Sequence, residues 1–363
     1  MLLALVLLAS APQSIFDGKT LAGWRHYGPR ATFAAANGEL ATSGLGNYPN
    51  WIGTTAEYEN FRLSFEYKLA KWAETSVLLR APEVGRPAQA GLSLFLAHDF
   101  HKQISKHVTG SLAGVLPPLK ALPESDTFEK WHRVEIVLDG DHFVARIDET
   151  VVQDVRFDSH PELRLRLKRG HIGFQDLGHK AAFRNIVLQD LGDRTAYTQL
   201  FNGRSIEEWK LRGGGNFLVR DGAIAGENGH GVLYAPPVFE NFELTVAVRS
   251  HNRVNAGIFL RGSPDEKKPR GFEVQIYSPP DAVYQTGSIY GIERSRSTGD
   301  FEERWFLMQI RVEGSHCLVR LDGETVAETD QLPEAVRKPG QIGLQIHMED
   351  ASVDYRDLRV RRL

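Results

Sequence analysis

The chain has 363 residues, 42% hydrophobic and 25% charged, with a net charge of −3. These are the proportions of a globular protein, and the absence of a basic run excludes an electrostatic nucleic-acid surface. The only cysteine, Cys317, excludes an intrachain disulfide; its alternating run "SHCLVRLDG" fits a packed core thiol better than a nucleophile.

The N-terminus reads "MLLALVLLASAPQS". An apolar run over residues 2–9, followed by Ala9-Ser10-Ala11, resembles the core and cleavage site of a secretory signal, although a basic start is missing. Residues 1–14 are therefore expected to be signal-like and the protein secreted or periplasmic, with a buried first strand as the competing reading. The run is far shorter than the roughly 20 residues that span a bilayer, and no other segment is a candidate.

Beyond residue 14 the chain states one pattern twice. "IFDGKTLAGW" (15–24) returns as "LFNGRSIEEW" (200–209), "YENFRLSFEYKL" (58–69) as "FENFELTVAVRS" (239–250), and "VLLRAP" (77–82) as "IFLRGS" (258–263). "VTGSLAG" (108–114) returns as "QTGSIYG" (285–291), the long run from Trp131 as the run from Trp305, and "GHIGFQ" (170–175) as "GQIGLQ" (340–345). The repeat predicts two domains, 15–191 and 198–363, joined at the polar "LGDRTAYT" (191–198). Within each, short runs with period-2 alternation recur between Gly-, Asp-, Asn- and Pro-containing turns, and no long 3.6-residue apolar stripe appears. The expected fold is all-β, two tandem sandwiches or jelly rolls.

The alternation then sorts side chains by face. In the second unit Phe272, Val274 and Ile276 share one face, and Glu273, Gln275 and Tyr277 the other; Gln345 and His347 oppose Ile342, Leu344 and Ile346; Arg261 opposes Ile258 and Leu260. If these strands are neighbours, a carboxylate, an imidazole, a guanidinium and two amides converge beside Tyr277, Tyr284 and Tyr290, a set suited to acid–base chemistry. A solvated outer face is the plainer alternative. The first unit keeps Arg80 and Gln175 but carries Ser93 for Glu273, Phe95 for Gln275 and, at or near His347, Leu177. Chemistry is therefore expected in the second unit only.

"LFNGRSIEEW", "VRDGAIAG", "NAGIFLRG", "GFEVQI", "TGSIYG" and "GQIGLQIH" together resemble the 3-keto-disaccharide hydrolase domain family, over nearly all of 200–363 and more weakly over 15–190. The resemblance implies a concanavalin A-like jelly roll in each unit and, for some members, cleavage of 3-keto-glycosides. A C3 ketone acidifies the C2 proton; a base removes it, the C1 substituent leaves, and water adds back. On that footing Glu273 and His347 are the candidate base and acid, in either order. Arg261, Gln275 and Gln345 would bind the keto oxygen or hydroxyls, Tyr290 would donate to the leaving oxygen, and Trp305 would stack on a sugar. Arg261 and Trp305 have counterparts in Arg80 and Trp131: a structural ion pair suits Arg261 as well as a substrate contact does, and a core anchor at a strand start suits Trp305 better than stacking on a sugar. The chain departs from the family at "QIHMED", where Met348 follows the imidazole in place of glycine and Glu349 and Asp350 add potential ligands for a divalent metal; no cofactor is otherwise expected.

Two other motifs are decoys. "ESDTFE" (124–129) has the acid spacing of laminarinase-like glucanases but polar residues between the acids, and "HDFHKQISKH" (98–107) gathers His98, Asp99, His101 and His107 in a hydrophilic stretch. Both read as solvated loops. The competing functional class is a non-catalytic carbohydrate-binding protein, which would have no use for Glu273 with His347. An oxidised sugar or glycoside is the expected ligand either way, with no nucleic-acid partner and no membrane partner beyond the signal-like segment.

Overall fold

The computed structural model describes residues 10–46, 50–98, 104–122, 129–265 and 270–363. The apolar run 2–9, most of "ESDTFE", and Asp99 and His101 lie outside the described residues. The chain divides into two compact units, 1–195 and 196–363. The structure moves both ends of the expected first domain outward. Gln13 and Ser14 pair with Leu188 and Val187 as an edge strand, so the last residues of the signal-like segment belong to the sandwich. At the other end the buried Glu59 carboxylate accepts from the N–H groups of Arg194 and Thr195, which ties most of the polar joint to the first unit. Tyr197–Gln199 already pairs with residues 359–361 of the second.

Each unit is a β-sandwich. In the first, a five-stranded sheet formed by Trp24–Tyr27, Trp51–Thr54, His171–Asp176, Glu74–Ala81 and Leu92–Ala97 packs on an eight-stranded one. The second unit repeats the arrangement with strands numbered here in chain order: β1 (Lys210–Gly213), β2 (Ala223–Phe239), β3 (Ala256–Gly262), β4 (Phe272–Ile276) and β5 (Gly340–Arg362). The first halves of β5 and second half of β2 lie in the layer ordered β1-β2-β5-β3-β4, while their other ends pair in the opposite layer, where β5 meets Phe242–His251. Register shifts at 227–229 of β2 and between 348 and 352 of β5 let the two long strands pass from one layer to the other.

Alternation builds the core. Phe242, Leu244, Val246 and Val248 of one layer meet Ile258, Val274, Ile342, Leu344 and Ile346 of the other, all buried in one apolar cluster. Cys317 is buried in the same cluster, and burial pushes its thiol far above the ordinary range, which leaves it inert. The opposite side chains of β1–β5 face outward, and their rows form the floor described next.

Candidate active site

Pairing registers place the floor residues without ambiguity, because directly paired residues share a face. One row runs Gln275, Gly257, Gln345, Val232, Arg212 across β4, β3, β5, β2 and β1. The next runs Glu273, Phe259, Gly343, Tyr234, Lys210. Beyond β4, segment 286–291 adds an outer edge: Ile289 bridges Val274, and the Tyr290 N–H donates to the Glu273 carbonyl at 2.9 Å. Glu273, Gln275 and Gln345, chosen from alternation alone, thus fall on one contiguous patch.

The Glu273 carboxylate lies over Gly257. A Cβ built at residue 257 would sit 2.2 Å from Glu273 Oε1, so only glycine leaves room for the acid. Gln345 Nε2 donates to Glu273 Oε2 at 3.4 Å. Burial pushes the carboxyl up from 4.5 to about 7; the Gln345 bond opposes the shift without cancelling it. A carboxyl titrating near neutrality, with one neutral donor and, among the described residues, no cation lowering it, can take and return a proton at working pH. Gln275 Nε2 donates to Asn255 Oδ1 at 3.2 Å, which fixes the second amide. Among the described residues Gln345 Oε1 is buried with no hydrogen-bond partner.

His347 stands apart from Glu273. It is exposed, and its ring meets the His230 ring edge-on at a centroid distance of 4.5 Å. From the register it lies two strands and four residues from Glu273, roughly 10 Å across and about 13 Å along the sheet. The two expected acid–base groups share a face and do not form a pair.

Two predicted ligand-binding residues leave the floor. Arg261 falls where the pairing of β3 with β5 shifts between Phe259 and Gly262, and its backbone takes a positive φ of 53°. The alternation breaks there, and the fully buried guanidinium turns to donate to the carbonyls of Glu240 and Gly314, each at 2.8 Å, and to Asn241 Oδ1 at 3.3 Å. Arg80 repeats this with φ 49° and bonds to Glu59 O, Gly140 O and Asn60 Oδ1. This arginine is structural in both units. Trp305 packs on the outer face of the opposite layer, between the guanidinium groups of Arg249 and Arg356 at 4.8 and 4.4 Å. Trp131 is held likewise by Lys68 and Arg184. Neither indole reaches the floor, and neither is a core anchor.

Alternation had no means of finding Gly257, Asn255, His230 or Tyr355. Tyr355 is fully buried beneath the floor, and its hydroxyl lies 3.2 and 3.1 Å from the carbonyls of Gly257 and Gln345. Among the described residues no group of three or more His, Cys, Asp or Glu could hold a metal. Glu349 and Asp350 are exposed, and His98 Nδ1 accepts from the Trp72 N–H.

The fold and floor define a β-sandwich protein with a desolvated carboxylate among amides, in one of two repeated units. The chain belongs to the family of 3-keto-alpha-glucoside-1,2-lyase-like domains, whose profile matches residues 11–189 and again 196–361. Membership ties it to carbohydrate chemistry. No curated protein matches the chain. Among solved structures it is similar to a Parabacteroides distasonis protein described as a "putative glycosyl hydrolase", at 17% identity and TM-score 0.44 over 50% of this chain and 94% of that one. A Bacillus subtilis protein of unknown function with a galectin-like fold matches at 14% identity and TM-score 0.38, over 46% of this chain and 98% of that one.

Proposed function

We propose that the second unit cleaves 3-keto-glycosides, with Glu273 as the base. The ionised carboxylate takes the C2 proton that the C3 ketone has acidified, and the electron pair passes into the enolate. As the enolate collapses, the C1–O bond breaks and the alcohol leaves with the proton that Glu273 took, which restores the carboxylate and gives a 2-hydroxy-3-keto-glycal. Water then adds across C1 and C2, the proton to C2 and hydroxyl to C1, for net hydrolysis. Gln345 and Gln275 bind ring oxygens, and the reacting ring lies against the Glu273 carboxylate, which Gly257 leaves room for. The observation that carries this reading is the buried Glu273 carboxyl seated over Gly257 with Gln345 as its donor, a setting that lifts it to about 7. The alternative of an ordinary retaining glycosidase needs a second carboxylate about 5–5.5 Å away, and residues 210–213, 230–234, 255–259 and 343–347 contain none.

The test is incubation with methyl 3-keto-glucoside and its unoxidised parent. Methanol is released from the keto sugar alone, the rate rises with pH through about 7 as Glu273 ionises, and Glu273→Gln lowers it by roughly 10²–10⁴. Binding without release from either compound would mark the floor as a lectin site instead.

A further inference from the structure

The floor has an aromatic wall that the chemistry at Glu273 does not require. Tyr290 follows the bridge residue Ile289, is 54% exposed, and is bonded through its backbone to the residue that carries the acid. Its ring lies 5.1 Å from that of the half-buried Tyr284, at 51°, and the Arg294 guanidinium lies 6.0 Å from the Tyr284 ring. Val283, 59% exposed, adjoins the pair in sequence. The Thr286 N–H bonds to the Tyr277 carbonyl, the Gly287 N–H to that of Gln275 and the Tyr290 N–H to that of Glu273, so the segment runs along the outer edge of β4.

The first unit keeps this backbone and drops the wall. There Gly110 and Ala113 donate to the carbonyls of Phe95 and Ser93, as Gly287 and Tyr290 do to those of Gln275 and Glu273. Ala113 stands in place of Tyr290, and the repeat puts His107 in place of Tyr284. The tyrosine pair is therefore not needed to hold the edge segment, and it occurs in the unit that has the acid. The exposed Tyr290 ring and the half-buried Tyr284 ring, on the edge beside the row that carries Glu273, offer an apolar face to whatever leaves on that side.

We propose that Tyr284 and Tyr290 form the aglycone subsite and select 3-keto-glycosides whose leaving alcohol carries a ring. This rests on the reading of Glu273 as the base, since it makes the outer side of the Glu273 carboxylate the place of the reacting sugar. A ring on the departing oxygen stacks against the pair; a methyl group leaves it bare. The ring contact is worth about threefold to tenfold in kcat/KM, the ordinary range for one aromatic contact.

The experiment compares benzyl and methyl 3-keto-glucosides of each anomer, because their leaving alcohols have nearly equal acidity and the ratio then reports recognition rather than bond breaking. Benzyl is favoured about threefold to tenfold by the native protein. The ratio falls toward one in Tyr284→His and Tyr290→Ala, which install the first unit's residues. Tyr290→Phe keeps the ratio, because the ring and not the hydroxyl makes the contact. The same two compounds are titrated against Glu273→Gln by calorimetry, where binding is read without turnover. Cleavage of both compounds at one rate, unchanged in the tyrosine variants, overturns the subsite and leaves Glu273 standing. A tyrosine-dependent preference in binding with no cleavage by the native protein keeps the subsite and sinks the lyase reading.

Discussion

At the layer that carries the floor, the two units differ at coupled positions on one frame. The second has Glu273 on Gly257 with Tyr355 beneath; the first has Ser93, Ser76 and Phe183 at the corresponding registers. The acid, the bare backbone that makes room for it and the buried hydroxyl under that backbone are present together or absent together. In the first unit, moreover, Trp51 and Tyr27 occupy the places of Val232 and Arg212, buried and stacked at 4.1 Å. Trp51 lies across Gly53 and Gly173, whereas in the second unit Val232 and the buried Tyr234 cover Gly343, the counterpart of Gly173. Arg80 and Arg261, by contrast, are the same device used twice. The lesson is that what both units share is frame, and what only one has is the set of residues the proposed reaction uses.

This contrast can be broken in several ways. The largest effect is expected from Gly257→Ser, which installs the first unit's Ser76: a Cβ 2.2 Å from Glu273 Oε1 displaces the carboxylate, and activity on a 3-keto-glucoside falls about 100-fold while the circular dichroism spectrum is kept. Ser76→Gly in the first unit changes no rate. Next, Arg261→Ala and Arg80→Ala each destabilise their own unit by about 3 kcal/mol, because carbonyls and an asparagine oxygen lose a buried donor. Calorimetry that finds one arginine dispensable would end their equivalence.

A third expectation concerns pH. The folded Glu273 carboxyl titrates at about 7 and the unfolded one at 4.5, so folding holds the proton more tightly, and stability present at pH 4 is lost as pH rises toward and through 7. Glu273→Gln removes that loss. It should melt with the native protein near pH 4 and exceed it by roughly 3 kcal/mol at pH 8; a gap that closes with rising pH would contradict the desolvation. The smallest effect is Trp305→Ala, about 1 kcal/mol of stability from two cation–π contacts with no change in KM. A raised KM would return Trp305 to the site.

Much of this was legible beforehand. Glu273, Gln275 and Gln345 were readable because a strand alternates strictly, and their first-unit counterparts Ser93 and Phe95 fall in the same registers. Arg261 was misread because the shifted pairing after Phe259 breaks that alternation, and nothing in "GIFLRG" signals it except the same arginine in "VLLRAP". Trp305 was misread because it precedes its strand, where period-2 logic has no hold. The separation of His347 from Glu273 needed strand order, which alternation does not supply.

By itself the sequence determined the duplication, the all-β class and which side of each strand is apolar, since these follow from local periodicity and from similarity of the chain to itself. Tertiary structure alone decided which strands are neighbours, and so that Glu273 rests on Gly257 beside Gln345, that Arg261 turns inward and that Tyr355 props the floor. The physical reason is that desolvation and contact depend on residues far apart in the chain; a carboxylate is displaced from its ordinary range only by what surrounds it once the strands have paired.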